Sequence, residues 1–159
     1  MLFAPAYHKL REQALQLDTA TFGLTPAPGG IYGVLGEFGF AEGVATVVAL
    51  ADGSVSMYFS GGGGSIGLGQ HEGPREAARK LLEAAPPVLP LAAKDAAFPL
   101  PQAGEVRFWF LTMGGPVTVS ATEAELATSK LVGLHELLQD LLTQIRLVNQ
   151  KKRTPLGEA

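Results

Sequence analysis

The spacing of apolar positions changes twice along the chain, and the changes divide it into elements. Tyr7, Leu10, Ala14 and Leu17 recur at helical intervals behind Pro5, a residue suited to a first helical turn. Residues 5 to 17 are therefore predicted to form a short amphipathic helix, which "TPAPGG" at 25 to 30 ends. From Ile31 the period becomes two. "IYGVLGEF" and "GVATVVAL" are predicted strands around the turn material "GFAE". Asp52-Gly53 then signals a two-residue hairpin loop, because both central residues of a type I′ turn need positive φ. That loop sets Leu50 opposite Val55, Val48 opposite Met57 and Thr46 opposite Phe59. Ala45, Val47 and Ala49 then face Ser60, Tyr58 and Ser56 on the other side.

The stretch "SGGGGSIGLGQ", residues 60 to 70, follows the strand "VSMYF". With Gly62-Gly63 as a second two-residue loop, Phe59 falls opposite Ile66 and Met57 opposite Leu68, keeping four apolar side chains on one face. A helix is predicted from Gly73-Pro74, with Ala78, Leu81, Leu82 and Ala85 along one side and Pro86-Pro87 as its stop. Residues 86 to 104 contain five prolines and read as an extended connection, packed on the body through Val88, Leu89, Leu91, Phe98 and Leu100. "VRFWFLTMGGPVTVSAT" is a further hairpin turning at Gly114-Gly115. Its first strand alternates Val106, Phe108 and Phe110 with Arg107, Trp109 and Leu111, which suits a strand covered on both sides. Thr122 and Glu125 fit a capping box. The helix behind them, broken near Ser129, carries a stripe of Leu134, Leu138, Leu141, Ile145 and Val148, widened by Leu137 and Leu142.

Helix, three or four strands, helix, two strands and helix, with no βαβ alternation, predict an α+β fold. The expected architecture is an antiparallel five- or six-stranded sheet with helices on one face. In element order this resembles profilin-, longin- and roadblock-type domains over roughly residues 30 to 150, and the resemblance carries no functional residue with it. A single domain over residues 1 to 150, with a frayed tail at 151 to 159, is expected.

Composition narrows the function classes. A chain of 159 residues with 47% hydrophobic and 17% charged positions has a globular balance. Net charge is −3 and the one basic run, "KKR" at 151 to 153, ends a helix whose dipole it complements, so no nucleic-acid partner is expected. The absence of cysteine removes disulfides, thiolate metal sites and thiol catalysis. No basic, apolar leader opens the sequence and no run approaches the roughly 18 apolar residues a membrane helix needs. A cytoplasmic protein without a membrane partner is the expectation.

The glycine stretch matches three catalytic or binding templates at once. Gly62, Gly64 and Gly67 fit the dinucleotide fingerprint, Gly63, Ser65 and Gly67 fit a nucleophile elbow, and the whole segment fits a generic anion loop. One backbone cannot serve all three. The helix opens too late for a pyrophosphate site, and the loop has no lysine for a P-loop. Position is the remaining functional hint: Gly64, Ser65, His71 and Arg75 lie where the hairpin meets a helix N-terminus, which attracts anions, and they are the candidate ligand-binding residues. His8, His71 and His135 have no metal-ligand spacing, and no catalytic residue, metal or cofactor is assigned. Glu37 and Glu42 flank the first turn and receive no role, and Trp109 reads as core.

The small-residue face of Gly43, Ala45, Val47 and Ala49, with the Leu134, Leu138, Leu141, Ile145, Val148 stripe, suggests more apolar surface than one small sheet covers. Surplus of that kind marks an interface, unless the helix spends its stripe packing within the chain. The sequence therefore favours a non-catalytic interaction or regulatory scaffold domain, homodimeric or bound to another protein. The alternative is a small-ligand or nucleotide/phosphate-binding protein, or a weak enzyme, using residues 61 to 75.

Overall fold

The computed structural model describes residues 3 to 18 and 23 to 153. Its fold is α+β. In chain order the elements are α1 (Pro5–Leu15), β1 (Ile31–Phe40), β2 (Gly43–Leu50), β3 (Val55–Phe59), β4 (Gly64–Ser65), α2 (Glu72–Ala84), β5 (Glu105–Thr112), β6 (Gly115–Thr122), α3 (Glu123–Leu126) and α4 (Val132–Arg153). The strands form one antiparallel sheet in the order β4-β3-β2-β1-β5-β6, so β1 is central and the two hairpin sets close on it from either side. Lys151 to Arg153 belong to α4, and the rest of the expected tail lies outside the described residues. Among the described residues no helix is long and apolar enough to cross a membrane.

Both sheet faces are covered, which corrects the expectation of helices on one face. Val34, Phe38, Val47, Ala49, Val55, Val106, Phe108 and Phe110 meet Ala78, Leu81 and Leu82 of α2 and the stripe of α4. Gly36 matters for that contact, because a Cβ there would run into Leu138, the residue α4 seats on the central strand. On the opposite face Leu35, Val48, Trp109 and Leu111 pack with Leu15 of α1, and Phe98 of the proline-rich connection joins them. The alternation within β5 thus serves two cores, as its sequence implied. The stripe α1 buries is Tyr7, Arg11 and Leu15, so one of its inward positions is charged.

Both glycine-bearing turns in the meander contain three residues where two were expected. Gly53 N–H bonds the Leu50 carbonyl and Leu50 N–H bonds that of Ser54. Gly62 N–H bonds the Phe59 carbonyl and Phe59 N–H bonds that of Gly63. Gly53 (φ 92°) and Gly62 (φ 111°) take the left-handed position that closes such a loop. The consequence for register is direct. Ala49 faces Val55, Val47 faces Met57 and Ala45 faces Phe59, a slip of one residue from the expected pairing that moves Val47 and Ala49 onto the face of Val55 and Met57. In the second hairpin Met57 pairs Ser65 and Tyr58 pairs Gly64, three residues away from the expected register. Ile66 then points into solvent, and Leu68 reaches the core from a 3-10 turn, Leu68–Gln70. The β5–β6 turn is Met113-Gly114, one residue earlier than Gly114-Gly115.

The connection from 86 to 104 begins as a 3-10 helix, Pro86–Leu91, and is only later extended. Ala93 then pairs with Thr118 through both backbone bonds and covers part of the β6 edge. Thr122 and Glu125 form the expected capping box, worth about 0.5–2 kcal/mol for such a cap. The helix breaks where expected, between α3 and α4.

Candidate functional site

The four candidate ligand residues do not converge on one cavity. Gly64 and Ser65 lie on the short edge strand. They line a groove of about 310 Å³ with Ala6, Tyr7, Leu10 and Tyr58, and the Ser65 hydroxyl bonds Asn149 of α4 at 3.3 Å. His71 is the exposed N-cap residue of α2 and makes no side-chain capping bond. Arg75 leans back from α2 to the carbonyl of Gly69, 3.3 Å away, and lines a separate groove of about 400 Å³ with Pro28, Asp52, Arg79 and Glu83. There Arg79 is already paired with Glu76 and Glu83. A third groove, about 430 Å³, has Val48, Ser56 and Tyr58 as floor and the Asp52–Ser54 turn and Ile66 as walls. In it Ser56 donates to the Tyr58 hydroxyl at 2.8 Å, and Asp52 Oδ1 accepts from Ser54 N–H.

The proposed partner stripe is spent inside the chain. Leu134, Leu138, Leu141, Ile145 and Val148 are all buried in the core under the sheet, which leaves them no surface for a partner. The small face of β2 is covered in the same core, through Val47 and Ala49. Exposed apolar surface sits elsewhere. Phe40 is 53% exposed, Phe59 44% and Ile66 73%. Phe40 and Phe59 line one shallow groove with Glu42, Val44 and Gly61, and Phe59 and Ile66 line the neighbouring one beside the glycine turn. Phe40 and Phe59 thus share one apolar groove at the end of the sheet by the β1–β2 turn, while Ile66 stands on the α1 side with Tyr58.

The most elaborate polar construction involves a residue that the sequence reading passed over. Glu37 is fully buried on the α1 face of the central strand. Its Oε2 accepts from Arg11 Nε at 2.7 Å and from the Thr46 hydroxyl at 2.7 Å. Its Oε1 accepts from Arg11 Nη2 at 2.9 Å and from the Trp109 indole N–H at 2.8 Å. All four acceptor positions of the carboxylate are taken. Because the one Thr46 hydroxyl proton goes to Glu37, Tyr7 must donate in the 2.8 Å bond between Tyr7 and Thr46. Burial first, and the charge of Glu37 second, push the Tyr7 phenol up to about 12.

Arg11 also holds the proline-rich connection. Its Nη1 and Nη2 donate to the carbonyls of Phe98, at 3.1 Å, and Pro99, at 3.0 Å, and its guanidinium lies 5.7 Å from the centre of the Trp109 ring. Phe98 is the one non-glycine with positive φ (48°) among the described residues, a conformation that costs on the order of 1–3 kcal/mol and persists only where surroundings enforce it. Here the enforcing contacts are Arg11 at its carbonyl and the Trp109 ring, 5.8 Å from its own.

The histidines are scattered. His8 lies on α1, His71 caps α2, and His135 on α4 contacts the Phe38 ring and Gln139, with burial holding its imidazole below the usual histidine value. Among the described residues no three His, Asp or Glu side chains gather to hold a metal ion. No protein-family model matches the chain, and neither a curated protein nor a solved structure shows significant similarity to it.

Proposed function

We propose that this chain is a non-catalytic interaction or regulatory scaffold domain whose first partner is a second copy of itself. The observation that carries the reading is the exposed apolar pair Phe40 and Phe59, which share one groove at the end of the sheet. Exposing large apolar side chains to water is unfavourable, and burying them against a complementary surface lowers the free energy by roughly 25 cal/mol per Å². Saturation of the Glu37 carboxylate supports the non-catalytic part, since a group with every acceptor site engaged has none to offer a substrate proton. A cytoplasmic location belongs to the same proposal.

Sedimentation equilibrium of the wild type and of a Phe40→Glu/Phe59→Glu double variant tests it. The wild type is expected to show a concentration-dependent dimer and the double variant a monomer that still unfolds cooperatively. A wild type that stays monomeric at all concentrations, or a double variant that dimerises as well as the wild type, would overturn it.

The second reading, a phosphate- or nucleotide-sized ligand, is favoured by Arg75, an exposed cation that donates to the carbonyl of Gly69 and lines a groove of suitable size. It is weaker because Asp52 lines the same groove and its second cation, Arg79, is already held by Glu76 and Glu83.

A further inference from the structure

On the α1 face of the sheet one polar row crosses five strands. Ser120, Arg107, Glu37, Thr46 and Tyr58 are successive register neighbours on β6, β5, β1, β2 and β3. α1 covers the middle of that row, burying only Tyr7, Arg11 and Leu15 of its own residues. As a helix it has little to sustain it: it has 11 residues, no side-chain N-cap, no acidic residue in its first turn and no basic residue in its last. A helix so short is marginal in water without tertiary contacts. The row is also not fully satisfied, because Arg107 Nε is buried without a hydrogen-bond partner.

We infer that α1 and the segment around Phe98 are one latch over this polar row, closed by the Arg11 guanidinium, and that they open together. One side chain bonds both pieces to the same carboxylate: Arg11 joins Glu37 to the carbonyls of Phe98 and Pro99. When α1 lifts, Phe98 loses the contact that holds its carbonyl in a strained conformation, and the segment relaxes toward ordinary φ. When Phe98 leaves, Trp109 loses the ring beside it and Arg11 loses two acceptors. Each departure removes what keeps the other in place, which makes the pair a two-state element. Opening uncovers Glu37, Thr46, Arg107 and the Trp109 indole as one polar and aromatic face. The inference does not depend on the apolar end or on self-association.

Native-state hydrogen exchange on the full chain tests the latch. The reporters are the amides of α1 and that of Phe98, which bonds the Asp95 carbonyl. The expectation is one shared opening step for both sets, faster than exchange in α2, α4 and the central strands. Arg11→Lys keeps the charge but not the fork, and is expected to accelerate both sets by the same factor. That factor should be about tenfold or more, as for loss of a charge-assisted hydrogen bond. Emission of Trp109, the chain's single tryptophan, should shift to the red in parallel. Different opening rates for α1 and Phe98, or acceleration of α1 alone, would overturn the inference. So would exchange of both only with global unfolding in the wild type, a result that decides the matter even if the lysine variant does not fold.

Discussion

A carboxylate without solvent contact is tolerated only when its neighbours supply what water did, and around Glu37 they do so through four hydrogen bonds and one opposite charge. Tyr7 extends the same network, and its neutral form is the one the fold favours. The unfolded chain ionises a tyrosine near 10 while the folded Tyr7 does so at about 12. The stability it contributes is thus full below pH 10 and is lost as pH rises through about 12. A spectrophotometric titration should show one phenol ionising late, and Tyr7→Phe should remove that late step; a late step that survives the substitution would contradict the assignment. Sequence reasoning passed over this cluster for a physical reason. Glu37 stands beside a turn, where polar residues are common, and Arg11 interrupts the apolar stripe by which α1 was recognised. The available signal was parity: Glu37 shares a face with Leu35 on a central strand, so its charge had to be met by something.

Among the elements, the strands and helices were legible because their periods were, and the turns that set their register were not. Asp-Gly and Gly-Gly pairs announce a hairpin, yet the same glycine closes a three-residue loop with one left-handed position as well as a two-residue loop with two. One residue of loop length decides which face Val47 joins, and nothing in the flanking alternation excludes either choice. The stripe on α4 was read correctly as a stripe. Its destination was left open between an interface and the chain's own core, because how much sheet lies beneath a helix is a property of the assembled fold. The glycine run is now accounted for by geometry more than by chemistry. A Cβ on Gly69 would overlap the carbonyl oxygen of Gly53, where the 3-10 turn crosses the β2–β3 loop backbone to backbone. Gly69→Ala is accordingly expected to cost about 1–3 kcal/mol through the shift it forces. Gly61→Ala, where a Cβ meets nothing within 4 Å, should be close to neutral. Denaturant midpoints of the two variants check this, and equal midpoints would refute the account of Gly69.

For the whole molecule, the question is which surface remains for a partner after the core is built. The sheet edges offer little. β4 has two residues, and β6 carries Pro116, the Ala93 pairing at Thr118 and the capping box at Thr122, all of which remove free backbone from its rim. The α2/α4 face is filled and the α1 face is latched. Among the described residues Ile66, Leu91, Met113, Val132 and Leu147 are also exposed, but Phe40 and Phe59 are the aromatic pair that shares one open groove. The measurement that tests this most directly is a dilution series of amide NMR spectra on the wild-type chain, followed by addition of phosphate and nucleotide. Concentration-dependent shifts confined to Phe40, Glu42, Val44 and residues 59 to 61 are expected, with no response around Arg75 on adding either ligand. Spectra unchanged on dilution, with shifts at residues 69 to 75 on adding phosphate or nucleotide, would contradict it.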